Sequence, residues 1–316
     1  RFDMNFYIFI PRVFLTGFLF ACLSLIAHAQ DIVLGQSVPM TGSNAEIGRD
    51  MRDGALAVFA KANANKTLGN RKIQLVTLDN ANNRAKALEN TKQLIEVEGA
   101  VALFGYNSAT TSLDALPLIK QSEMALFAPF TGSPSARDHS NVFTVRGSYL
   151  DEAKRLVEVL KNTGLSKAVI VYYDDEAGRS NVQLVAEAYA GAAVKLRTLA
   201  VKRNVKLTAA AFDAVWSDVP HYLIFTTQFN VVGDYMQAAK VKGSNAAVAA
   251  LSFVNPDELA RSYGEVARGA IVSQVVPQPG GSSQFKNPLV RDCARTLKDY
   301  NGAQLDFTSL ESCIAG

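Results

Sequence analysis

The chain is poor in the residues that carry covalent and metal chemistry. Its 316 residues include only three cysteines and three histidines. No Cys or His spacing of the metal-ligand kind occurs, which argues against a structural or catalytic zinc site. Cys22 lies in the N-terminal apolar segment, leaving Cys293 and Cys313 for the folded part. A disulfide between them is compatible with an oxidising compartment but is not implied by the count, and the simpler reading keeps both as small core or surface residues. There is no GxxxxGK[ST] loop and no GxGxxG behind a strand, so nucleotide binding has no support. HExxH, GxSxG and nucleophilic-cysteine motifs are missing too. His139 and His221 have no nucleophile at readable spacing and read as surface polar residues. Lys and Arg (32) are scattered among Asp and Glu (29) with no basic stripe, which argues against nucleic-acid binding. Beyond residue 29 no apolar run is long enough to span a membrane. These absences predict a protein without cofactor, metal or catalytic group.

The composition is 48% apolar and 19% charged, that of a globular chain with room for two domains. Met4 reads as a start, Arg12 supplies positive charge, Val13 to Ile26 is apolar, and Ala27-His28-Ala29 fits a small-residue cleavage site. Residues 1–29 are therefore expected to be an export signal cut after Ala29.

From Asp31 onward, strand-like and helix-like segments alternate. Strands are predicted at Ile32–Val38, Lys72–Leu78, Val101–Phe104 and Ala125–Ala128, with helices near Ile47–Ala62, Arg84–Glu96 and Thr110–Gln121. Leu88, Thr91, Leu94 and Ile95 form the expected core stripe of the second helix. A further set begins with a helix at Asp151–Asn162 and a wholly apolar strand at Ala168–Tyr172. It continues through strands near Lys195–Val201, Tyr222–Phe225, Ala247–Leu251 and Ala270–Val276, with helices near Asn181–Ala190, Leu207–Val215 and Val231–Lys242. The last full helix is expected at Leu289–Tyr300. Such alternation predicts an α/β architecture of two doubly wound parallel-sheet lobes, exchanged near Phe143–Tyr149 and again near Val275–Pro277.

The segment DIVLGQSVPMTGSNAEIGRDMRDGALAVF (31–59) pairs a strand with a Pro39-Met40-Thr41-Gly42-Ser43 loop and an amphipathic helix. A loop of that kind at a sheet's carboxyl edge reads as a polar cradle for a small ligand. Asp174-Asp175-Glu176 follows a buried strand and reads either as a solvated loop or as a ligand contact. Adjacent acids do not face one another across a substrate, so an acid/base dyad is disfavoured.

These segments resemble the leucine/isoleucine/valine-type periplasmic solute-binding proteins that serve ABC importers. The likeness is carried by IVLGQSVPMTGSNAEIGRDMRDGALAVF (32–59), ALFGYNSATTSLDALPLI (102–119), LFAPFTGSPSAR (126–137), VFTVRGSYLDEA (142–153), LSFVNPDELA (251–260) and IVSQVVPQP (271–279). It implies the type I periplasmic-binding-protein fold, with lobe I formed by 30–145 and 276–316 and lobe II by 146–275, joined by a hinge. It also implies a monomeric, periplasmic receptor that closes on an amino acid or related small carboxylate and delivers it to an inner-membrane permease. The same fold serving as a sensing module for a signalling partner is the alternative. The family helix expected at Phe307–Gly316 normally continues, so the chain reads as truncated there.

By the resemblance, the ligand carboxylate meets Ser108, Ala109 and Thr110 and the Phe130-Thr131-Gly132 segment. The capping alternative for Thr110 and Thr111 does not exclude this. Three positions depart from the family pattern. Phe253 stands where amino-acid binders commonly place a carboxylate for the ammonium, Ala109 replaces a Ser or Thr, and Ala177 replaces a Tyr before Gly178. Either Asp174, Asp175 or Glu176 supplies the missing charge, with Asp175 the chosen candidate, or the ligand lacks an ammonium and Tyr106, Phe130, Tyr149, Phe229 and Phe253 line a more apolar cleft.

Overall fold

Residues 30–316 are described by the computed structural model, apart from 43, 162, 165, 204, 206, 283–285 and 301. The export segment 1–29 and Ser43 of the first loop lie outside the described residues. The first lobe runs β1 (Ile32–Val38), α1 (Ala45–Ala64), β2 (Ile73–Asp79), α2 (Arg84–Glu96), β3 (Ala102–Phe104), α3 (Ala109–Ser112), α4 (Leu116–Gln121), β4 (Leu126–Phe127), α5 (Pro134–Arg137) and β5 (Val142–Phe143). The second runs α6 (Tyr149–Lys161), β6 (Lys167–Tyr173), α7 (Glu176–Ala188), β7 (Lys195–Val201), α8 (Ala209–Trp216), β8 (Tyr222–Thr226), α9 (Phe229–Val241), β9 (Ala247–Ala250), α10 (Pro256–Tyr263) and β10 (Ile271–Val272). Then α11 (Pro288–Asp299) and α12 (Phe307–Ala315) follow.

The two lobes each carry a five-stranded sheet, in the orders β2-β1-β3-β4-β5 and β10-β9-β8-β6-β7. Pairings such as Val38 with Asp79 and Tyr172 with Thr226 are parallel. Parallel pairing needs a crossover between strands, and the helices supply it. The continuous apolar runs of β6 and β8 are buried from both faces, as central strands of such a sheet must be. One face of the second sheet packs Val171, Phe225, Val232 and Tyr235, and the other Ile170, Leu156, Val185 and Tyr222. The first sheet buries Leu94, Leu103, Ile119 and Leu126 on one side.

The observed elements differ from the sequence pattern in ways with local causes. The helix expected over 110–121 is two pieces, α3 and α4. Pro117 has no amide hydrogen for the carbonyl four residues back, so the helix restarts with proline in its first turn. Helix α2 buries Ala87, Asn90, Thr91 and Leu94, whereas Leu88 is exposed. Its stripe is thus shifted and more polar than the apolar residues alone suggest. Helix α7 starts at Glu176, not Asn181, because Asp175 caps it by accepting from the Gly178 amide at 2.8 Å. The strand expected at 270–276 shrinks to Ile271–Val272. Helices α5 and α10 and strand β5 are too short to show a period.

Two late helices fold back on α1. Ala57, Val290, Cys293, Leu297, Leu310 and Cys313 make one buried cluster, with Val276 packed against it. At Gly54 a Cβ would stand 2.4 Å from the Ser309 carbonyl oxygen, so the close crossing of α1 and α12 requires glycine there. Cys293 and Cys313 are joined as a disulfide. That overturns the simpler expectation, which kept both as unpaired core or surface residues. The fold decides the pairing by bringing α11 and α12 to a Cα separation of 5.9 Å, within disulfide range.

The chain leaves the first sheet at Phe143 and enters the second lobe at Tyr149, and Arg146 stands in between. Its guanidinium is buried, with 1% of the side chain exposed, against Glu152 at 5%. Nη2 donates to the Ser252 hydroxyl, Nε lies 3.3 Å from Glu311 Oε1, and the group stacks 4.6 Å from the Phe130 ring centroid. Glu152 accepts from the Ser252 amide and hydroxyl at 2.7 and 2.8 Å and from the Ser273 hydroxyl. One cation thereby ties α6, the end of β9 and α12 to the cleft wall of the first lobe. Burial works against its charge, but Glu311, Tyr149 and Glu152 more than offset that and raise its pKa.

Two outcomes are expected. Cys293→Ala/Cys313→Ala should lose about 3 kcal/mol in denaturant titration, the loop-closure value for a loop of this size. The double variant should also become insensitive to added reductant. Arg146→Leu leaves Glu152 and Glu311 buried without their cation and should cost roughly 3–5 kcal/mol by the same titration. Adding Glu311→Gln should recover part of that loss.

Candidate functional site

The carboxyl ends of the strands in both sheets face one another across a cleft of about 740 Å³, counting the space open at its mouth. The loops just past those ends supply its walls. Asn107, Ser108, Ala109 and Thr110 follow β3, and Phe130 and Thr131 follow β4. From the second lobe come Ala177, Arg203, Thr226, Gln228, Ser252 and Phe253, and from the first Asn44 and Ile47 at the start of α1. Crevices beyond the strand ends, where the order switches sides of a central strand, are where open parallel sheets hold ligands.

Local chemistry fixes these positions. Ser108 holds a positive φ of 59° and its hydroxyl caps α3. Thr111 turns inward and donates to the Asn107 carbonyl, which leaves Thr110 facing the cleft. Asn255, also at positive φ, caps α10 by accepting from the Asp257 and Glu258 amides at 3.1 and 3.2 Å. Strained non-glycine backbone of this kind persists where the surroundings over-determine it, often at binding sites. Gly132 has no room for a Cβ, which would meet the Tyr149 ring at 2.4 Å. Glycine there leaves room for the Tyr149 ring, which packs on Phe253 with ring centroids 5.2 Å apart. The Tyr149 hydroxyl accepts from Thr131 at 3.4 Å, and burial pushes the phenol up, so it is present as a neutral hydroxyl.

Arg203 is the charged side chain on the cleft wall among the described residues. It lies just past β7, stacks 3.8 Å from the Tyr173 ring centroid, and donates from Nε to Asp175 Oδ2 at 2.9 Å. Its Nη2 reaches across to Thr110 Oγ1 of the other lobe at 3.4 Å. Ala109 and Ala136 of the first lobe touch Ala177 of the second. Asn181 is buried at 7% exposure and lines the cleft, and its Oδ1 has no hydrogen-bond partner.

Of the residues the sequence singled out, Ser108, Ala109, Thr110, Phe130, Thr131, Tyr149 and Phe253 come together on the cleft. The others sit elsewhere. Tyr106 is buried in the first-lobe core, its hydroxyl 3.0 Å from that of Thr91. Phe229 opens α9 and packs on the second-lobe core. Asp175 stands behind Arg203, both oxygens engaged by Gly178 and Arg203, and does not reach the cleft. Asp174 pairs outward with Arg179 at 2.8 Å. The first loop is not a free cradle either. The Met40 amide and Thr41 hydroxyl donate to Asp79 at 2.8 and 2.6 Å. Burial opposes the Asp79 charge, but those donors and the Ala81 amide hold its pKa down at about 2. Arg203, Asn181, Gln228, Asn255 and Thr308 were not singled out. The first three follow the carboxyl ends of strands or open the next helix turn, and that positional rule would have found them.

A second charged seam joins the lobes beside the cleft. Arg261 bonds Glu46 of α1 and Glu258 of α10. Asp50 lies buried on α1, and burial together with the neighbouring Asp306 raises its pKa to about 9. Among the described residues no group of three or more His, Cys, Asp or Glu is placed to hold a metal ion. No helix there is long and apolar enough to cross a membrane.

The sequence profile of the periplasmic binding protein family matches residues 31–315. Among solved structures, a possible leucine/isoleucine/valine-binding protein from Rhodopirellula baltica SH 1 superposes with a TM-score of 0.85 at 27% identity, over 92% of this chain and 80% of that one. A substrate-binding periplasmic protein from Ralstonia solanacearum follows at 0.82 and 25%, over 90% and 82%. An amino acid binding protein of Pseudomonas aeruginosa is 24% identical over 49% of this chain and 42% of its own length. The Leu/Ile/Val-binding protein homolog 2 of Brucella abortus is 24% identical over 40% and 34%. The chain thus spans less than half the length of the curated relatives it matches.

The Asp50 carboxyl gives a signed expectation. Its folded pKa lies above the unfolded value, so the folded state holds a proton that the unfolded state has released. Stability should fall between about pH 4 and 9, by at most about 1.4 kcal/mol per pH unit for one such group. Asp50→Asn mimics the protonated form. It should melt higher than the parent at pH 8, with little difference near pH 4, in a calorimetric pH series.

Proposed function

We propose, given that this chain belongs to the periplasmic binding protein family, that it is an extracytoplasmic receptor for an amino acid or a related small carboxylate. The observation that carries the reading is the cleft, walled by strand-end loops of both lobes and already bridged by Arg203 and Thr110. Lobe I is assigned to 30–145 and 276–316, lobe II to 146–275, with Arg146 at the pivot. A ligand lodged there touches both lobes at once, so it binds the closed form better than the open one and shifts the population toward it. Its carboxylate is held by the Ser108–Thr110 and Phe130–Thr131 segments, and Tyr149 and Phe253 cover its body. No bond of the ligand is broken. The closed, loaded protein is a monomer that presents its cargo to the inner-membrane permease of an ABC importer, after export and cleavage behind Ala29.

The test is ligand-dependent closure. In solution scattering, a panel of amino acids and small organic acids should contain at least one compound that shrinks the radius of gyration and raises the melting temperature. Thr131→Val in one lobe and Gln228→Ala in the other should each weaken its binding about tenfold, the loss of roughly one good hydrogen bond. A compound that binds without closure, or that responds to substitutions in one lobe only, would overturn the bridging mechanism. Mass spectrometry should recover it unchanged.

A further inference from the structure

Among the described residues Arg203 is the charged side chain on the cleft wall, and its ion-pair partner Asp175 sits behind it, off the wall. Both oxygens of Asp175 are taken by Gly178 and Arg203, and those of Glu152 by Ser252 and Ser273, beside Arg146. Helices α1, α7 and α9 open toward the cleft at Asn44, Ala177 and Gln228. Neither Asn44 nor Gln228 makes a side-chain cap, so those first-turn amides keep their partial positive charge. Asn181 adds an independent sign of a missing partner: it is buried on the same wall, and its Oδ1 bonds to nothing. That amide can turn to present either its oxygen or its N–H to a ligand. Ile47, Phe130, Tyr149 and Phe253 give the wall an apolar patch, and the rest of the lining is neutral polar side chains and small alanines.

We infer that the ligand is an amine-free monocarboxylate with a compact branched or aromatic body, and that Arg203 selects it by pairing with its carboxylate between the lobes. The inference rests on the binding role proposed above and narrows it. Among the described residues an α-ammonium in this cleft would meet, of side-chain acceptors, neutral oxygens of Asn, Gln, Thr, Ser and Tyr. It would lie near a guanidinium and the uncapped N-termini of α1 and α9. A second carboxylate on the ligand fares no better. Among the described residues Arg146 does not line the cleft: it is buried beneath Phe130 and ion-paired with Glu152 and Glu311, though its Nη1 makes no hydrogen bond. Arg203 is held in place by its Nε bond to Asp175 and its stack on Tyr173, which leaves the Nη edge for the ligand. Its present bond to Thr110 is long, and a carboxylate oxygen would be a stronger acceptor than that hydroxyl.

The experiment uses matched probes that differ only by the α-ammonium: 3-methylbutanoate against valine, 4-methylpentanoate against leucine, and 3-phenylpropanoate against phenylalanine. Each is titrated calorimetrically, with 4-methylpentanamide as the uncharged control. At least one acid is expected to bind tenfold or more tightly than its amino acid, about the discrimination of one unpaired charge. Arg203→Gln should erase most of the acid's advantage over its amide, and Arg203→Lys should restore part of it. The melting temperatures of the ligand-free variants check folding; if Arg203→Gln melts early, the parent's ratio of acid to amino acid decides alone. Amino acids binding more tightly than their acids would overturn this inference and leave the receptor reading intact. Binding by neither series, with no closure, would overturn both.

Discussion

The buried guanidinium of Arg146 is the constraint around which the two lobes are arranged. It sits on a chain crossing, where side chains from both lobes converge on one point. A charge this deep is tolerated only with partners held in place, and they come from distant parts of the sequence: Glu152 on α6, Ser252 past β9, Glu311 on α12 and the Phe130 face past β4. Glu311 shows the tension directly. Burial pushes its carboxyl up, Arg146 pulls it back and Glu152 pushes it up again, leaving it raised to about 7. One cation between two acids fixes where the crossing strand can lie. It also fixes the positions of Phe130 and Ser252, both of which line the cleft. The pivot and the floor of the site are thus parts of one polar network.

From that pivot the geometry of the cleft follows. Two parallel sheets turn their carboxyl edges toward each other, and a parallel sheet places the start of each following helix at that edge. Positive helix ends therefore surround the cleft without any dedicated basic residue. Arg203 adds a guanidinium whose counter-ion, Asp175, accepts from its Nε from behind the wall while also capping α7. The same carboxylate orients the arginine and starts the helix, so the acid that the sequence offered as a ligand contact serves instead to aim a cation.

How much of this was legible beforehand depends on the range of the interaction. The βα alternation and the central strands could be read because they rest on local periodicity and on continuous apolar runs such as Ala168–Tyr172. Ser108, Thr110, Phe130, Thr131, Tyr149 and Phe253 could be placed at the cleft because each lies in a segment that resembles the family. Tyr106 and Phe229 were misplaced because an aromatic beside a strand end points either to the cleft or to the core, and that choice is set by packing. Thr91 claims the Tyr106 hydroxyl from inside the core, and no sequence pattern announces it. The Cys293–Cys313 bond and the α1 crossing at Gly54 are likewise products of tertiary approach. Arg203 was missed for a different reason. A lone arginine after a strand looks like solvated surface until the neighbouring acid is seen to bind it.

Away from the Arg146 network, the contacts described above that bridge the lobes are individually weak. Ala109, Ala136 and Ala177 touch only through methyl groups, so each buries little apolar area. The Arg203–Thr110 bond is 3.4 Å long, and the Arg261–Glu46 pair is partly open to water, where such pairs contribute about 0–1 kcal/mol. Small side chains at 109 and 177 let the lobes meet without fixing them together. In the reading proposed for this chain closure is poised: the direct contacts would favour it slightly, and a ligand would add contacts available only in the closed form. A bound molecule would then shift the balance by its differential affinity alone. Larger residues at 109 and 177 would bring more lobe-to-lobe area, and with it a stronger bias that owes nothing to the ligand. In the reading proposed for this chain, the alanines that depart from the family pattern keep control of closure with the molecule in the cleft.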